Sequence, residues 1–319
     1  MAPVRIAVIG AGEFGQHHAR VLHDLRGAEL VAVVDSDPSR AAAVAGRFGA
    51  RAVTDYRDLE GRLDAATVAV PTAQHAAIGA DLLARGVDVL VEKPIAPDLD
   101  SADQLIAAAR RHGRILQVGH LERFNPAVEA ASALASLPLF FEVHRMSVFT
   151  PRSLDVDVVL DLMIHDLDIV LSLVESEIQQ IHAVGLPVLS PRADIAHVRL
   201  QFQNGCVANF TASRVSTERI RKLRFFQPRQ YISVDYSRQD GAVFSVGAAG
   251  KIDIQPLAVE RGEPLAREMA SFLEAVTKRT SPRVTGEEAR RALQVALRII
   301  EETESHARVV AATIAGQRP

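Results

Sequence analysis

The period of the apolar positions changes partway along the chain. In the first part, short runs of aliphatic residues at 4–9, 30–34, 65–70, 87–91 and 115–118 alternate with stretches in which apolar residues recur every three to four positions. Near-continuous apolar runs of this length read as strands buried on both faces, and the stretches between them, among them 74–85 and 101–112, read as helices. Alternation of this kind predicts a doubly wound parallel sheet over residues 1–120.

After Gly119 the pattern breaks. Strand-like segments at 140–149, 195–202, 207–212, 220–226, 231–236 and 243–246 follow one another with few helical stretches between them. Asn204-Gly205 between two of them is a two-residue hairpin signal. Residues 161–174, 264–279 and 287–305 carry helical stripes. Residues 121–319 are therefore expected to form one α+β domain with a mostly antiparallel open sheet.

Composition narrows the class. The 319 residues are 48% hydrophobic and 24% charged, with a net charge of −3, which argues against a general nucleic-acid binder. A single cysteine, Cys206, excludes an internal disulfide and suits a reducing cytoplasm. The amino-terminal run is too short for a secretory signal, and no stretch approaches the roughly 20 apolar residues of a membrane span.

The first strand runs directly into Gly10-Ala11-Gly12-Glu13-Phe14-Gly15, a helical stretch follows with Phe14, Val21, Leu22 and Leu25 on its apolar side, and the next strand ends in Asp35. In a strand–turn–helix–strand context this is a dinucleotide fingerprint. Gly10 serves the tight turn, Gly12 lets a pyrophosphate approach, Gly15 lets helix and strand pack, and Glu13 and Phe14 lie at the helix amino end that faces the phosphates. Asp35 accepts from ribose hydroxyls and repels a 2′-phosphate, so NAD is favoured over NADP. Arg40, inside the next helical stretch, reads as solvated.

Two further groups of residues carry chemistry. Glu92-Lys93-Pro94 ends the strand at 87–91, where ligands bind in parallel sheets, and Thr72 and His75 lie just past another strand end. His75 reads equally as a nicotinamide contact and as a plain first-turn helix residue. In the second half, Asp161, His165 and Asp168 share one helix face by spacing. That face reads as a solvated surface, as a metal site, or as an acid/base pair in which Asp161 orients the imidazole.

Taken together and in order, Gly10-x-Gly12-x-x-Gly15, Glu92-Lys93-Pro94 and Asp161-x-x-x-His165 resemble the Gfo/Idh/MocA oxidoreductases over nearly the whole chain. The resemblance implies catalytic roles for Lys93, Asp161 and His165, no metal, a cis Lys93–Pro94 peptide, and a homodimer or homotetramer packed through the open sheet. Residues 119–128 and 161–168 look like the nucleotide-sugar branch. That branch implies oxidation of a secondary hydroxyl of a UDP-sugar, with C3 of UDP-N-acetylglucosamine expected, as in a step toward amide-linked lipid A. Arg123, Asn125, Arg145 and Arg152 are then candidates for substrate binding, beside Lys93 and His165. A free sugar, a cyclitol or another small carbonyl is the alternative substrate, and a non-catalytic NAD sensor the alternative function. The catalytic trio argues against a sensor, which has no need of a base.

Overall fold

The computed structural model describes residues 2–59, 61–150, 156–247 and 250–316. The chain forms two compact units, Met1–Phe124 with Gly262–Arg291, and Asn125–Arg261 with Ala292–Pro319.

The first unit runs β1 (Val4–Ile9), α1 (Glu13–Asp24), β2 (Ala28–Val34), α2 (Pro38–Arg47), β3 (Arg51–Val53), β4 (Ala65–Val68), α3 (His75–Ala84), β5 (Asp88–Glu92), α4 (Leu99–His112) and β6 (Leu116–Gly119). All strand pairs are parallel, in the order β3-β2-β1-β4-β5-β6. The order reverses beside β1, and the carboxyl ends of strands at such a reversal are where a doubly wound sheet binds ligands. The expected parallel sheet is present, and the structure adds the short edge strand β3, which is too polar to show as an apolar run.

In the second unit, α5 (Pro126–Ser132) precedes β7 (Phe140–Val148), and a π-helical turn (Val159–Met163) runs into α6 (Ile164–Leu173). Then come β8 (Ile178–Leu186), β9 (Ile195–Phe202), β10 (Val207–Ser216), β11 (Ile220–Gln227), β12 (Gln230–Asp235), β13 (Asp240–Val246) and β14 (Ile252–Pro256). They form one sheet ordered β14-β13-β12-β11-β7-β10-β9-β8, antiparallel except where β10 lies parallel to β7. One face packs on α5 and α6 through Phe141, Val143, Ala208, Phe210 and Phe225. Fully burying a valine or phenylalanine side chain contributes about 1.5–3 kcal/mol. The opposite face keeps Phe140, Glu142 and His144 partly exposed. The β9–β10 connection is a three-residue loop rather than the expected two: the Gly205 N–H donates to Phe202 O, the Phe202 N–H donates to Cys206 O, and Gly205 takes φ +86°. That is a turn closed by a left-handed glycine, the other common hairpin built around Asn-Gly.

Two helices close the chain, α7 (Pro264–Lys278) and α8 (Gly286–Gly316). The reading from sequence put all of 121–319 in the second domain, whereas Gly262–Arg291 clusters with the first unit. The cause is the apolar stripe of α7: Met269, Phe272, Leu273 and Val276 share a core with Val8, Leu22 and Leu90. No described helix is long and apolar enough to cross a membrane.

Candidate active site

In the loop between β1 and α1, Gly10 stands at φ +96°, and a Cβ there would meet the Ala69 carbonyl oxygen at 2.4 Å. A Cβ on Gly15 would meet the Gly10 carbonyl oxygen at 1.8 Å. The fold itself requires both glycines. Gly12 differs, because its φ is −65° and a Cβ would meet nothing within 4 Å. No protein atom excludes a side chain there, so the open space suits a ligand that approaches the backbone. Gly12 is also the N-cap of α1, which no side chain caps, while Asp37, Asp98 and Asn125 cap α2, α4 and α5. An uncapped amino end beside an open glycine fits a pyrophosphate. Phe14 is 56% exposed and not buried as expected: it falls on the face of His18 and Val21, four and seven residues on, but stands in the first turn, at the open amino end of α1. Glu13 is exposed beside it.

These placements separate two effects of mutation. Gly12→Ala is expected to keep the melting temperature and to weaken NAD binding at least about tenfold, a loss of about 1.4 kcal/mol. Gly15→Ala is expected to lower the melting temperature instead. Calorimetric titration with NAD alongside thermal melts reads both, and wild-type NAD affinity in Gly12→Ala would remove that glycine from the cradle.

Asp35 directly follows β2 and is buried. Its Oδ2 accepts from the Ala11 N–H at 2.8 Å and its Oδ1 from the Asp37 N–H at 2.9 Å, which ties the carboxylate to the glycine loop. Arg40 is half exposed but not simply solvated, since its guanidinium lies 3.5 Å from both the Asp35 and Asp37 carboxylates. An arginine one helical turn past the N-cap Asp37 folds back over the carboxylates at its own helix start.

At the end of β5 the Lys93–Pro94 peptide is cis, as the resemblance implied. Glu92 turns inward: its Oε1 lies 3.0 Å from His18 Nε2, and its Oε2 accepts from the Lys93 N–H at 3.3 Å. A Cβ on Gly119 would meet Oε1 at 3.0 Å, so the carboxylate fills the space that this glycine leaves. Burial pushes the Glu92 carboxyl up, but the His18 hydrogen bond and the charges of His18 and Lys93 outweigh it and hold the group below its ordinary range. His75 is buried, with Nδ1 and Nε2 each 2.9 Å from a backbone carbonyl, those of Pro94 and Val70. Burial lowers its pKa despite the opposing pull of the two carbonyls. Its ring thus braces the Lys93-Pro94 turn, which favours the helix-residue reading over the nicotinamide contact. Thr72 is half-buried and opens the 3-10 turn (Thr72–Gln74) after β4.

In the second unit, Asp161 lies in the π turn and His165 in the first turn of α6. Both are partly exposed, while Met163, Ile164, Asp166 and Leu167 between and beside them are buried. The i→i−5 bond from the Ile164 N–H to Val159 O widens the helix where the two residues sit, and such bulges recur at functional sites. Asp168 does not share this half-exposed face, as its spacing suggested, and is 2% exposed. Among the described residues no group of three His, Cys, Asp or Glu side chains is arranged to hold a metal ion.

Three of the expected substrate-binding residues are otherwise engaged. Arg145 is buried and bidentate to Asp166, with Nε–Oδ2 at 2.6 Å and Nη2–Oδ1 at 3.0 Å, and its guanidinium lies over Tyr236 at 5.4 Å. Asn125 caps α5 through its Oδ1 and donates from Nδ2 to Tyr236 O at 3.1 Å. Arg123 pairs with Glu288 at 3.2 Å in the first unit. Arg152 lies outside the described residues.

The sequence reading missed His18, Gln117 and Glu268, each fully buried in the first unit. The signal was present. His18 sits on the Gly15–Leu22 stripe, and Glu268 follows Leu265 by three and precedes Phe272 by four, so both occupy positions where an apolar residue is expected.

Comparison with known proteins gives the chain its relatives. Residues 4–120 match the model of the Gfo/Idh/MocA oxidoreductase family, NAD-binding Rossmann fold, and residues 136–232 match the family's C-terminal domain. A UDP-N-acetylglucosamine 3-dehydrogenase from Acidithiobacillus ferrooxidans is 35% identical over 94% of this chain and 97% of its own length. A solved structure of that enzyme from the same organism superposes with a TM-score of 0.90 at 34% identity, covering 96% of this chain and 99% of the other. An inositol 2-dehydrogenase from Acidothermus cellulolyticus is 37% identical, but over 57% of this chain and 56% of its own length. An oxidoreductase from Agrobacterium radiobacter, solved in complex with NAD+, L-tartaric acid and magnesium, shares the fold at a TM-score of 0.84 and 19% identity, covering 95% of this chain and 97% of the other. With both family models matched and a relative alike from end to end, the chain belongs to the Gfo/Idh/MocA family of oxidoreductases.

Proposed function

We propose that the protein oxidises the C3 hydroxyl of UDP-N-acetylglucosamine to the ketone with NAD as the oxidant. The observation that carries this reading is the extent of likeness to the 3-dehydrogenase, which runs through both units, whereas the inositol 2-dehydrogenase matches little more than half of the chain.

Bound NAD supplies the hydride acceptor. The chain must then remove the hydroxyl proton and steady the oxygen as it becomes a carbonyl. His165 is assigned the proton, because an imidazole titrates near neutral pH and this one lies on the open side of its helix. Asp161, one turn before it, orients the ring and stabilises the imidazolium. Lys93 donates to the sugar oxygen and offsets its developing charge. Glu92, turned inward on His18 and the Lys93 backbone, holds this lysine's strand end. Gly12 and the amino end of α1 hold the pyrophosphate, and Asp35 holds the adenosine ribose.

Asp35 gives the cofactor preference a test. The wild-type protein is expected to bind NAD more tightly than NADP, and Asp35→Ala to narrow the gap, with Arg40 then free to meet a 2′-phosphate. Titration with both cofactors decides, and equal affinity in the wild type would reject the assignment.

The partly exposed face of the second sheet supports self-association as a homodimer or homotetramer. Phe226 stacks on Tyr231 at 4.6 Å, Tyr231 lies 4.8 Å from Phe244, and Ile252 and Ile254 are more than half exposed. The function itself is tested by incubating the protein with NAD and UDP-N-acetylglucosamine, UDP-glucose, free N-acetylglucosamine or myo-inositol and following NADH absorbance. Turnover of the first substrate is expected. Turnover of myo-inositol alone would replace this reading with the cyclitol one.

A further inference from the structure

Beneath the strand end that carries Lys93, the first unit buries an acid that its fold does not need. Glu268 on α7 is 0% exposed, and neither carboxyl oxygen makes a hydrogen bond. The first unit holds three further polar side chains of interest, from three other elements. Gln117 on β6 is fully buried, donates from Nε2 to the Glu268 backbone carbonyl at 3.4 Å, and has its Oε1 unbonded. His18 on α1, the helix that shares a core with α7, has its Nδ1 buried and unbonded while Nε2 meets Glu92. Glu92 is placed by register, since Gln117 and Gly119 of β6 pair with Leu90 and Glu92 of β5.

An apolar residue at 268 would remove the cost of burying a carboxyl that makes no hydrogen bond. A buried acid retained at this cost calls for a role beyond packing. Burial, with the Glu92 charge second, raises the Glu268 carboxyl well above its ordinary range, which favours its uncharged form. Glu92, partly exposed at the strand end, keeps its charge. A carboxylate largely withdrawn from water needs donors. Here these are His18 Nε2 and the Lys93 N–H, and the Glu268 carboxyl feels the same charge without bonding to it.

We propose that His18 and Glu268 are positioning residues for Lys93: together with Gln117 they enclose the Glu92 carboxylate and thereby fix the strand end from which the lysine acts. This rests on the catalytic role assigned to Lys93 above. Neither residue touches the reacting atoms. Both act through Glu92, whose other oxygen receives the Lys93 backbone N–H.

The test uses the full-length protein and three variants. Glu268→Leu fills the space but carries no polar group, so it is expected to fold with an equal or higher melting temperature. Its kcat should nevertheless fall roughly 10–100-fold, because misplacing a reacting group by about 1 Å costs up to about 10²-fold. Glu268→Gln keeps the shape and neutral hydrogen bonding, and should bring kcat back to within about threefold of wild type, with KM for the sugar little changed. His18→Leu should behave as Glu268→Leu does in kcat. A residue that served packing alone would not separate stability from kcat in this way.

A second readout needs no sugar. Trace labelling of amines followed by peptide mass spectrometry gives the reactivity of Lys93 relative to the exposed Lys251. The ratio should change in Glu268→Leu and His18→Leu and return in Glu268→Gln. Wild-type kcat and an unchanged labelling ratio in Glu268→Leu would overturn the proposal. So would a Gln variant as impaired as the Leu variant, since an uncharged acid is what glutamine imitates. If the wild type oxidises none of the sugars offered, the substrate reading fails while the labelling ratio still decides this one.

Discussion

His165→Ala is expected to lower kcat by roughly 10²–10⁴, the usual contribution of a positioned proton acceptor. NAD affinity should stay near wild type, because the glycine loop and Asp35 lie in the other unit. Lys93→Ala should lose a similar factor, since a ketone cannot form from the alcohol without charge developing on the oxygen that this lysine is assigned to steady. Asp161→Asn should lose less, because it leaves the imidazole in place and removes only the charge that tunes it. The double variant Lys93→Ala/His165→Ala should lose less than the product of the two singles, as groups that act as one unit do. Stopped-flow or steady-state NADH formation measures all four. Near-wild-type kcat in His165→Ala would end the assignment. Single losses that multiply in the double variant would show that lysine and histidine act on separate events.

Much of this site was legible in the residues because each motif is written by local constraints. Gly10 and Gly15 are dictated by backbone geometry within a few residues, and Asp161 and His165 by helical spacing. The inward turn of Arg145 was equally legible. Phe141, Val143 and Arg145 alternate on β7, and the same period that buries the first two buries the third. What period cannot give is the partner. That Arg145 meets Asp166 of α6, or that α7 lays Glu268 near Glu92, depends on contacts between elements far apart in the chain. Strands β8 and β14 escaped for a simpler reason. β14 is exposed throughout as an edge strand, and β8 shows water most of its residues, so neither carries a strong apolar signal. The start of α4 lies ahead of the helical stretch read at 101–112: Asp98 caps it and receives the Ser101 N–H at 2.8 Å. Of the capping residues Asp98, Asp100 and Ser101, the first to reach the third N–H beyond it wins.

Arg145→Met is expected to destabilise the protein by about 3–5 kcal/mol, the cost of stripping one partner from a buried ion pair. Arg145 is 2% exposed and Asp166 1%, their contact is bidentate, and the Tyr236 ring covers the guanidinium. Removing the arginine leaves the Asp166 carboxylate in the interior, where desolvation is no longer offset by two charge-assisted hydrogen bonds. Removing both charges should recover most of the loss. Arg145→Met/Asp166→Leu is expected to lie within about 1–2 kcal/mol of wild type, because apolar residues of similar volume often replace a buried pair without cost. Urea unfolding of the single and double variants measures this directly. The substrate-clamp role expected from sequence makes the opposite forecast. An arginine that held a diphosphate would raise KM for the UDP-sugar on removal and leave the unfolding midpoint alone, since a remote phosphate is bound alike in ground and transition states. A guanidinium whose fork is already filled by Asp166 has little left to offer a phosphate. The expected result is therefore a lowered midpoint with KM nearly unchanged in whatever fraction stays folded. A raised KM at wild-type stability would return Arg145 to the substrate.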